Sequence, residues 1–366
     1  MVLFIFCFNH FFQLMGKGMQ KIEGFAKEGA GFVYGGIGTY GSSGQLVNYG
    51  IAPAFVFAFN VTATIILVCI LVAIFYHFRI MQFIISVVAR AMNFVMRVSG
   101  AEALSNVAST FVGQVEAQVM IRAYLPTMTK SELLASMSGS LACIAGGILI
   151  VYANMGARPD YLIAASLMAA PGALVISKIV FPETEVSPTM GTVKLDVKSN
   201  YTNLIDAITH GAADGFKISM NVIAMLIGFI ALIAMVNWML GHIYHGLSLD
   251  FIFGKIFYLF AWAMGVPKQD INNAATLLGQ KLTVNEFVAF KNLTSKAVPM
   301  MTPKGLTIVT IAICGFANFS SVGMQIGGIG ALAPERRTDL AKLGMKALLC
   351  GTLASYLSAT IAGMLM

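Results

Sequence analysis

Charged residues are scarce in this chain: Asp, Glu, Lys and Arg make up 11% of its 366 residues, against about 25% in soluble globular domains. So few polar groups cannot cover a water-facing surface, which excludes an ordinary cytosolic enzyme. Disorder is excluded too, because it requires low hydrophobicity, whereas 58% of the residues are hydrophobic and the mean hydropathy is +0.81. Cysteine is sparse and scattered. Cys7, Cys69, Cys143, Cys314 and Cys350 each lie alone within an apolar stretch, so they read as small buried hydrophobes, with no disulfide framework or zinc site. The net charge of +7 rests on only 23 Lys and Arg, found mainly in short connectors. That distribution suits topology signals and excludes a nucleic-acid partner.

Long uncharged runs dominate instead. A bilayer core of about 30 Å needs about 20 apolar residues per helix. No Asp, Glu, Lys or Arg occurs in Ala52–Tyr76, Leu133–Ala157, Ile218–Leu240, Gly305–Pro334 or Ala347–Met366. Tyr161–Ser177 and Ile256–Pro267 are shorter uncharged runs, adequate as spans if their flanks snorkel. The N-terminal Val2–Gly16 is apolar and Phe-rich and contains His10. It lacks the basic start and small-residue cleavage site of a signal peptide, so it reads as part of a first membrane helix. The fold class is an all-α polytopic membrane protein.

Two segments break the pattern, RVSGAEALSNVASTFVGQVEAQVMIRAYLPTMTK (97–130) and KQDINNAATLLGQKLTVNEFVAFKNLTSKAVPMMTPK (268–304). Each has short apolar stretches around a carboxylate, Glu116 and Glu286, and fits a helical hairpin that enters the membrane and returns. Each is followed by an interrupted apolar segment, marked by Ala145-Gly146-Gly147 in the first and by Phe316-Ala317-Asn318-Phe319-Ser320-Ser321 in the second. Breaks in mid-membrane free backbone groups that must face protein or a cavity. A hairpin with a carboxylate plus a broken helix, occurring twice, is the pattern of a transporter built from inverted repeats.

A charge at the bilayer centre costs at least about 2.5 kcal/mol, so Glu116 and Glu286 should face a water-accessible cavity. They read as substrate or proton ligands, or else as structural carboxylates capped by amides or paired with Lys. Glu102 and Glu132, near segment ends, read as caps or interfacial groups. Gln114, Asn318 and Ser321 are neutral donors and acceptors in apolar context; with the two carboxylates they suit a neutral, polyhydroxylated solute. His242 and His245 lack a third metal ligand nearby, and the strings GGIGTYGSSG and GGIGALAP lack a phosphate-binding context. The 23 Met and 26 Phe read as lipid-facing and packing residues. Arg336, Arg337, Lys342 and Lys346 before the last span predict a cytoplasmic loop and an external C-terminus.

At these residues the chain resembles the concentrative nucleoside transporter family, from about Gly31 onward. FVGQVEA (111–117), NEFVAF (285–290) and CGFANFSSVG (314–323) carry the resemblance, supported by MLIGFIALIA (225–234), AWAMGVP (261–267) and LAPERR (332–337). It implies a homotrimer in the inner (plasma) membrane, with a fixed scaffold and a moving transport domain. It implies symport of nucleosides of the uridine, cytidine and adenosine class with sodium or protons, and no other cofactor. By the same resemblance Gln114, Val115 and Glu116 lie at the nucleobase and Ile148 lines its side. Glu286, Asn318 and Ser321 hold the ribose, and Phe316 lies against the nucleoside. Sodium-coupled relatives look like NIFVGQTEAP where this chain has STFVGQVEAQ (109–118). Ser109 therefore stands in place of a sodium-ligating Asn, and Cys143 in place of a Ser, with Val112 and Ile144 supplying carbonyls. A thiol is a poor sodium ligand, so proton coupling through Glu286 or Glu116 is an alternative. Val115 replaces a Thr, and Gln118 replaces a Pro and restores polarity.

The expected organisation is scaffold helices over 1–98, with the first helix of the family either absent or lying before the first residue of this sequence, then the first hairpin, broken helix, following helix and loop over 99–215. Scaffold and trimer-contact helices follow over 216–267, and the second hairpin, broken helix and last helix over 268–366. Two other classes stand beside the symporter: an uncoupled channel or facilitator, and an intramembrane enzyme with Glu116 and Glu286 as acid and base. The second has no nucleophile or metal constellation beside the pair.

Overall fold

The computed structural model describes residues 21–22, 24–34, 57–190, 201–244, 246–295 and 300–366. Val2–Gly16 with Cys7 and His10, the string GGIGTYGSSG and His245 lie outside them. Among the described residues the regular structure is helical, with no strand. Helical residues 24–34 precede α1 (Phe57–His77), α2 (Ile80–Met96), α3 (Gly100–Phe111), α4 (Glu116–Met120), α5 (Lys130–Ala142), α6 (Gly146–Asn154) and α7 (Pro159–Val180). Then come α8 (Leu204–Ile243), α9 (Leu249–Ala263), α10 (Ile271–Thr283), α11 (Glu286–Thr294), α12 (Pro303–Ile313), α13 (Phe319–Leu332) and α14 (Arg337–Met364). The sequence α3–α4, α5–α6, α7 recurs as α10–α11, α12–α13, α14, which is the repeat expected from the two hairpins and two broken helices.

By length and hydropathy, two helices among the described residues suffice to cross a membrane: α7 and the segment Pro334–Met364. A bend of 78° separates Thr62–His77 from Ile80–Met96, at Arg79, whose φ is 60°. The expected span Ile218–Leu240 belongs to a 40-residue helix, α8, which begins earlier because the Asn203 side chain accepts from Asp206 N–H. The expected boundary between 215 and 216 therefore falls inside one helix.

The buried core is built on small residues. Every residue of α5 from Ser131 to Ala142 is buried, as is α3 from Gly100 to Thr110. With little apolar driving force between helices in lipid, close backbone approach must supply the packing. Helix α8 does so on α1: a methyl group added at Gly211 would sit 2.8 Å from Cys69 O, and one at Gly215 would sit 2.7 Å from Ile66 Cα.

Glu102 and Glu132 are caps, as their positions in the sequence indicate. Ser99 with Glu102 and Thr129 with Glu132 each form a reciprocal capping box at the starts of α3 and α5. These caps also tie the element ends together. Lys178, at the end of α7, pairs with Glu102 and donates to Ser131 Oγ at 2.9 Å. Ser187 and Thr189 hydroxyls donate to Glu132, and Thr129 Oγ1 donates to Glu183 at 2.7 Å. Loss of an N-cap side chain costs about 1 kcal/mol. Thr129→Val, which removes the cap and the Glu183 bond at nearly constant volume, is expected to lower stability by about 1–2 kcal/mol. The midpoint of thermal unfolding in detergent measures it, and an unchanged midpoint would show the cap to be idle.

Arg336, placed by sequence in a topology signal, also joins structure. Its Nη1 donates to the carbonyls of Leu125, Pro126 and Met128, and its Nε pairs with Asp339 at 3.1 Å.

Candidate functional site

The two helix breaks meet. Helix α5 stops at Ala142, and the chain runs unwound through Cys143–Ala145 before α6; α12 stops at Ile313 and runs through Cys314–Asn318 before α13. Phe316 N–H donates to the Cys143 carbonyl at 3.2 Å, so each break satisfies part of the other. The approach is close enough that a Cβ on Gly315 would lie 2.5 Å from the Ala142 carbonyl oxygen. Irregular backbone at this depth is tolerated because it is covered by protein.

Asn318 does two jobs at the second break. As N-cap of α13 its Oδ1 accepts from Ser321 N–H at 2.8 Å, and its Nδ2 donates to Glu286 Oε2 at 2.9 Å. Glu286 opens α11, where the positive end of the helix favours a carboxylate, and Asn285 caps that helix. The other carboxylate oxygen, Oε1, accepts from Tyr152 O–H at 3.0 Å, and the Tyr152 ring stacks on Phe290 with centroids 4.4 Å apart. Glu286 is thus buried and held from two sides, by α6 and by the break before α13. Ser321 is buried and its hydroxyl has no partner among the described residues.

On the first hairpin, Gln114 is buried and its Nε2 faces Met324 Sδ of α13 at 3.8 Å, while its Oε1 has no hydrogen-bond partner among the described residues. Val115 packs against Gly328 of α13. Ile148 and Phe316 both lie half-buried against the same apolar cluster. These placements bring residues of both repeats to one locality. Glu116 is different. It starts α4 on an exposed surface, with its carboxylate folded over Gly113 and near the Val115 and Glu116 N–H groups. Its electrostatic neighbours are Cys69 and Tyr76 of α1 and Asp214 of α8. No hydrogen bond among the described residues joins it to Glu286, because the two carboxylates start different hairpin helices that face different neighbours.

Of the four residues expected around a cation, Ser109 donates to Ser105 O and contacts Ser140 Oγ, both at 2.7 Å. The Cys143 thiol lies 3.4 Å from Thr110 Oγ1, and the Ile144 carbonyl accepts from Ser166 Oγ at 3.2 Å. Val112 ends α3 as its C-cap.

Sequence reasoning missed two residues. Tyr152 was signalled only as an aromatic hydroxyl within the apolar run of α6. Lys281 is the only Lys or Arg between Lys268 and Lys291, and its ammonium is fully enclosed with no hydrogen bond among the described residues. Glu286 acts on it electrostatically as the opposite charge.

Comparison with known proteins follows this geometry. Residues 161–363 match the family described as Na+ dependent nucleoside transporter C-terminus, and residues 58–159 match the family described as nucleoside recognition. The chain is 41% identical over 352 residues to the uncharacterized transporter YutK of Bacillus subtilis, covering 94% of this chain and 84% of that protein. It is 35% identical over 361 residues to nucleoside permease NupC of Helicobacter pylori, with 96% and 84% covered. It is also 36% identical over 375 residues to sodium/nucleoside cotransporter 1 of Rattus norvegicus, with 97% and 56% covered. A solved structure of CNTnw, described as inward-facing and substrate-bound, superposes with a TM-score of 0.90 at 38% identity, covering 97% of this chain and 86% of that one.

Proposed function

This chain belongs to the concentrative nucleoside transporter family, whose members are helical membrane transporters and not enzymes, and on that premise we propose that it imports nucleosides across the inner (plasma) membrane by cation-coupled symport. The observation that carries this reading is the carboxylate of Glu286, fixed between Tyr152 and Asn318 where the two helix breaks cross. A buried carboxylate flanked by neutral amide and hydroxyl groups is suited to accept hydrogen bonds from vicinal hydroxyls. In this proposal Glu286, Asn318 and Ser321 hold the ribose, Phe316 lies against the nucleoside, and Gln114, Val115, Glu116 and Ile148 form the base side. The polar atoms of Gln114 and Ser321 that have no partner among the described residues support it, because buried groups of that kind are costly unless a ligand or water completes them.

The transport cycle follows as alternating access. The hairpins α3–α4 and α10–α11 re-enter the membrane and, with the broken helices, form the moving transport domain. The helices of 1–98 and 216–267 form the scaffold of a homotrimer. Sodium or a proton drives the cycle, and joint binding of cation and nucleoside closes the hairpins over the site.

The test is radiolabelled uridine uptake into proteoliposomes under imposed sodium or proton gradients. Accumulation above equilibrium is expected under one of them. Uptake that only reaches equilibrium would make the protein a facilitator, and a chemically altered product would make it an enzyme. If no nucleoside enters under either gradient, the substrate class is wrong.

A further inference from the structure

Behind the first hairpin lies a chain of hydrogen bonds that consumes the polar groups nearest the expected cation position. Ser136 Oγ donates to Gln118 Oε1 at 2.8 Å, and Gln118 Nε2 donates to Ser140 Oγ at 2.8 Å. Ser109 Oγ sends its proton to the Ser105 carbonyl at 2.7 Å, which leaves Ser140 as the donor in the 2.7 Å contact between the Ser140 and Ser109 hydroxyls. Every proton in the chain therefore points the same way, from α5 through α4 and back through α5 to α3. Ser105, Ser109, Gln118, Ser136 and Ser140 are all at most 1% exposed. A dry polar cluster of this kind is stable only when each member is satisfied, and here the links run unbroken from Ser136 to the Ser105 carbonyl.

The chain also defines a mechanical connection. It binds both arms of the first hairpin, through Ser105 and Ser109 on α3 and Gln118 on α4, to the first half of the broken helix. A cation coordinated between hairpin and broken helix would make the same connection through oxygen ligands. We propose that Gln118 takes over that role: it is a positioning residue that holds the first hairpin on α5 in the binding-competent arrangement, so that nucleoside binding requires no sodium. A sodium ion would find a single lone pair left on each of the Ser109 and Ser140 hydroxyls, because each already donates one hydrogen bond and accepts another. The thiol of Cys143 offers it little in return. This inference rests on the nucleoside-transport reading and decides which ion is left to drive it, a proton.

The test uses the purified full chain in detergent, in matched sodium chloride and choline chloride. Two readouts are taken, uridine affinity by calorimetry and the thermal midpoint without uridine. Sodium is expected to change uridine affinity less than twofold and to leave the midpoint unmoved. Gln118→Met, which keeps length and volume but removes both amide bonds, is expected to weaken uridine binding about tenfold in either salt. Ser140→Ala, which cuts the chain at its middle, should weaken binding in the same direction, and Ser140→Thr should restore it. A saturable, sodium-specific rise in the midpoint of the unaltered protein would overturn the inference without uridine being involved. So would a tenfold gain in uridine affinity with sodium, or wild-type affinity in Gln118→Met. Failure of uridine and adenosine to bind in any salt would instead bring down the transport reading, and this inference with it.

Discussion

Glu286→Gln is expected to reduce the initial rate of gradient-driven uridine uptake by about 100-fold or more while the protein stays folded. The side chain of Gln has nearly the same shape as that of Glu, and it still offers an acceptor to Asn318 Nδ2 and a donor that the Tyr152 hydroxyl can accept. The local packing on Phe290 and α6 therefore has no reason to change. What disappears is the charge. Hydrogen bonds to a charged group contribute about 1.5–3 kcal/mol each against about 1 for neutral pairs. Two ribose hydroxyls meeting an amide in place of a carboxylate therefore lose about 3 kcal/mol, or about 100-fold. A variant with an unchanged thermal midpoint and near-normal accumulation would remove Glu286 from the site. Because Glu286 also acts on the enclosed Lys281, neutralising it leaves a buried cation without its opposite charge. A fall in midpoint would measure that contribution separately from transport.

A second large effect is expected where the two helix breaks touch. In Gly315→Ala the new methyl group would fall 2.5 Å from the Ala142 carbonyl oxygen and 3.1 Å from Ser355 Oγ. The obstacle at the shorter distance is backbone, so a side-chain rotation cannot relieve it. The two unwound segments must separate, and the bond from Phe316 N–H to Cys143 O lengthens or breaks. A lost buried backbone bond together with steric strain costs about 3 kcal/mol or more. The expected result is a thermal midpoint lowered by several degrees, with uridine binding lost at temperatures where the variant remains folded. Unchanged binding and midpoint would mean that the breaks need not touch.

Much of the architecture is legible in the sequence because it is written in local physics. Lack of charge over about 20 residues can mean only a span or a buried core helix, and Ser or Thr three places before Glu at Ser99 and Thr129 is a helix start. The interruptions were visible as well: a Gly pair at 146–147, and Asn318 followed three residues later by Ser321. Both lie at the points where the helices restart. The candidate carboxylates stood out because an uncompensated charge in an apolar stretch is expensive. Their different surroundings were not legible. Nothing within NEFVAF or FVGQVEA says that Glu286 is enclosed while Glu116 lies on an exposed surface beside α1 and α8.

What the sequence by itself determined is the class of protein and its repeated order of elements, since hydropathy, capping and helix-breaking act over a few residues. The pairing of Glu286 with Tyr152, 134 positions away, was decided only by the tertiary structure. So were the contact of Phe316 with Cys143 and the hydrogen-bond chain through Gln118. Each depends on which helix faces are pressed together, and that follows from small residues at the crossings of helices distant in sequence. No local propensity carries that information, because in an apolar surrounding a serine or a glutamine is tolerated only once its partner has arrived from elsewhere in the chain.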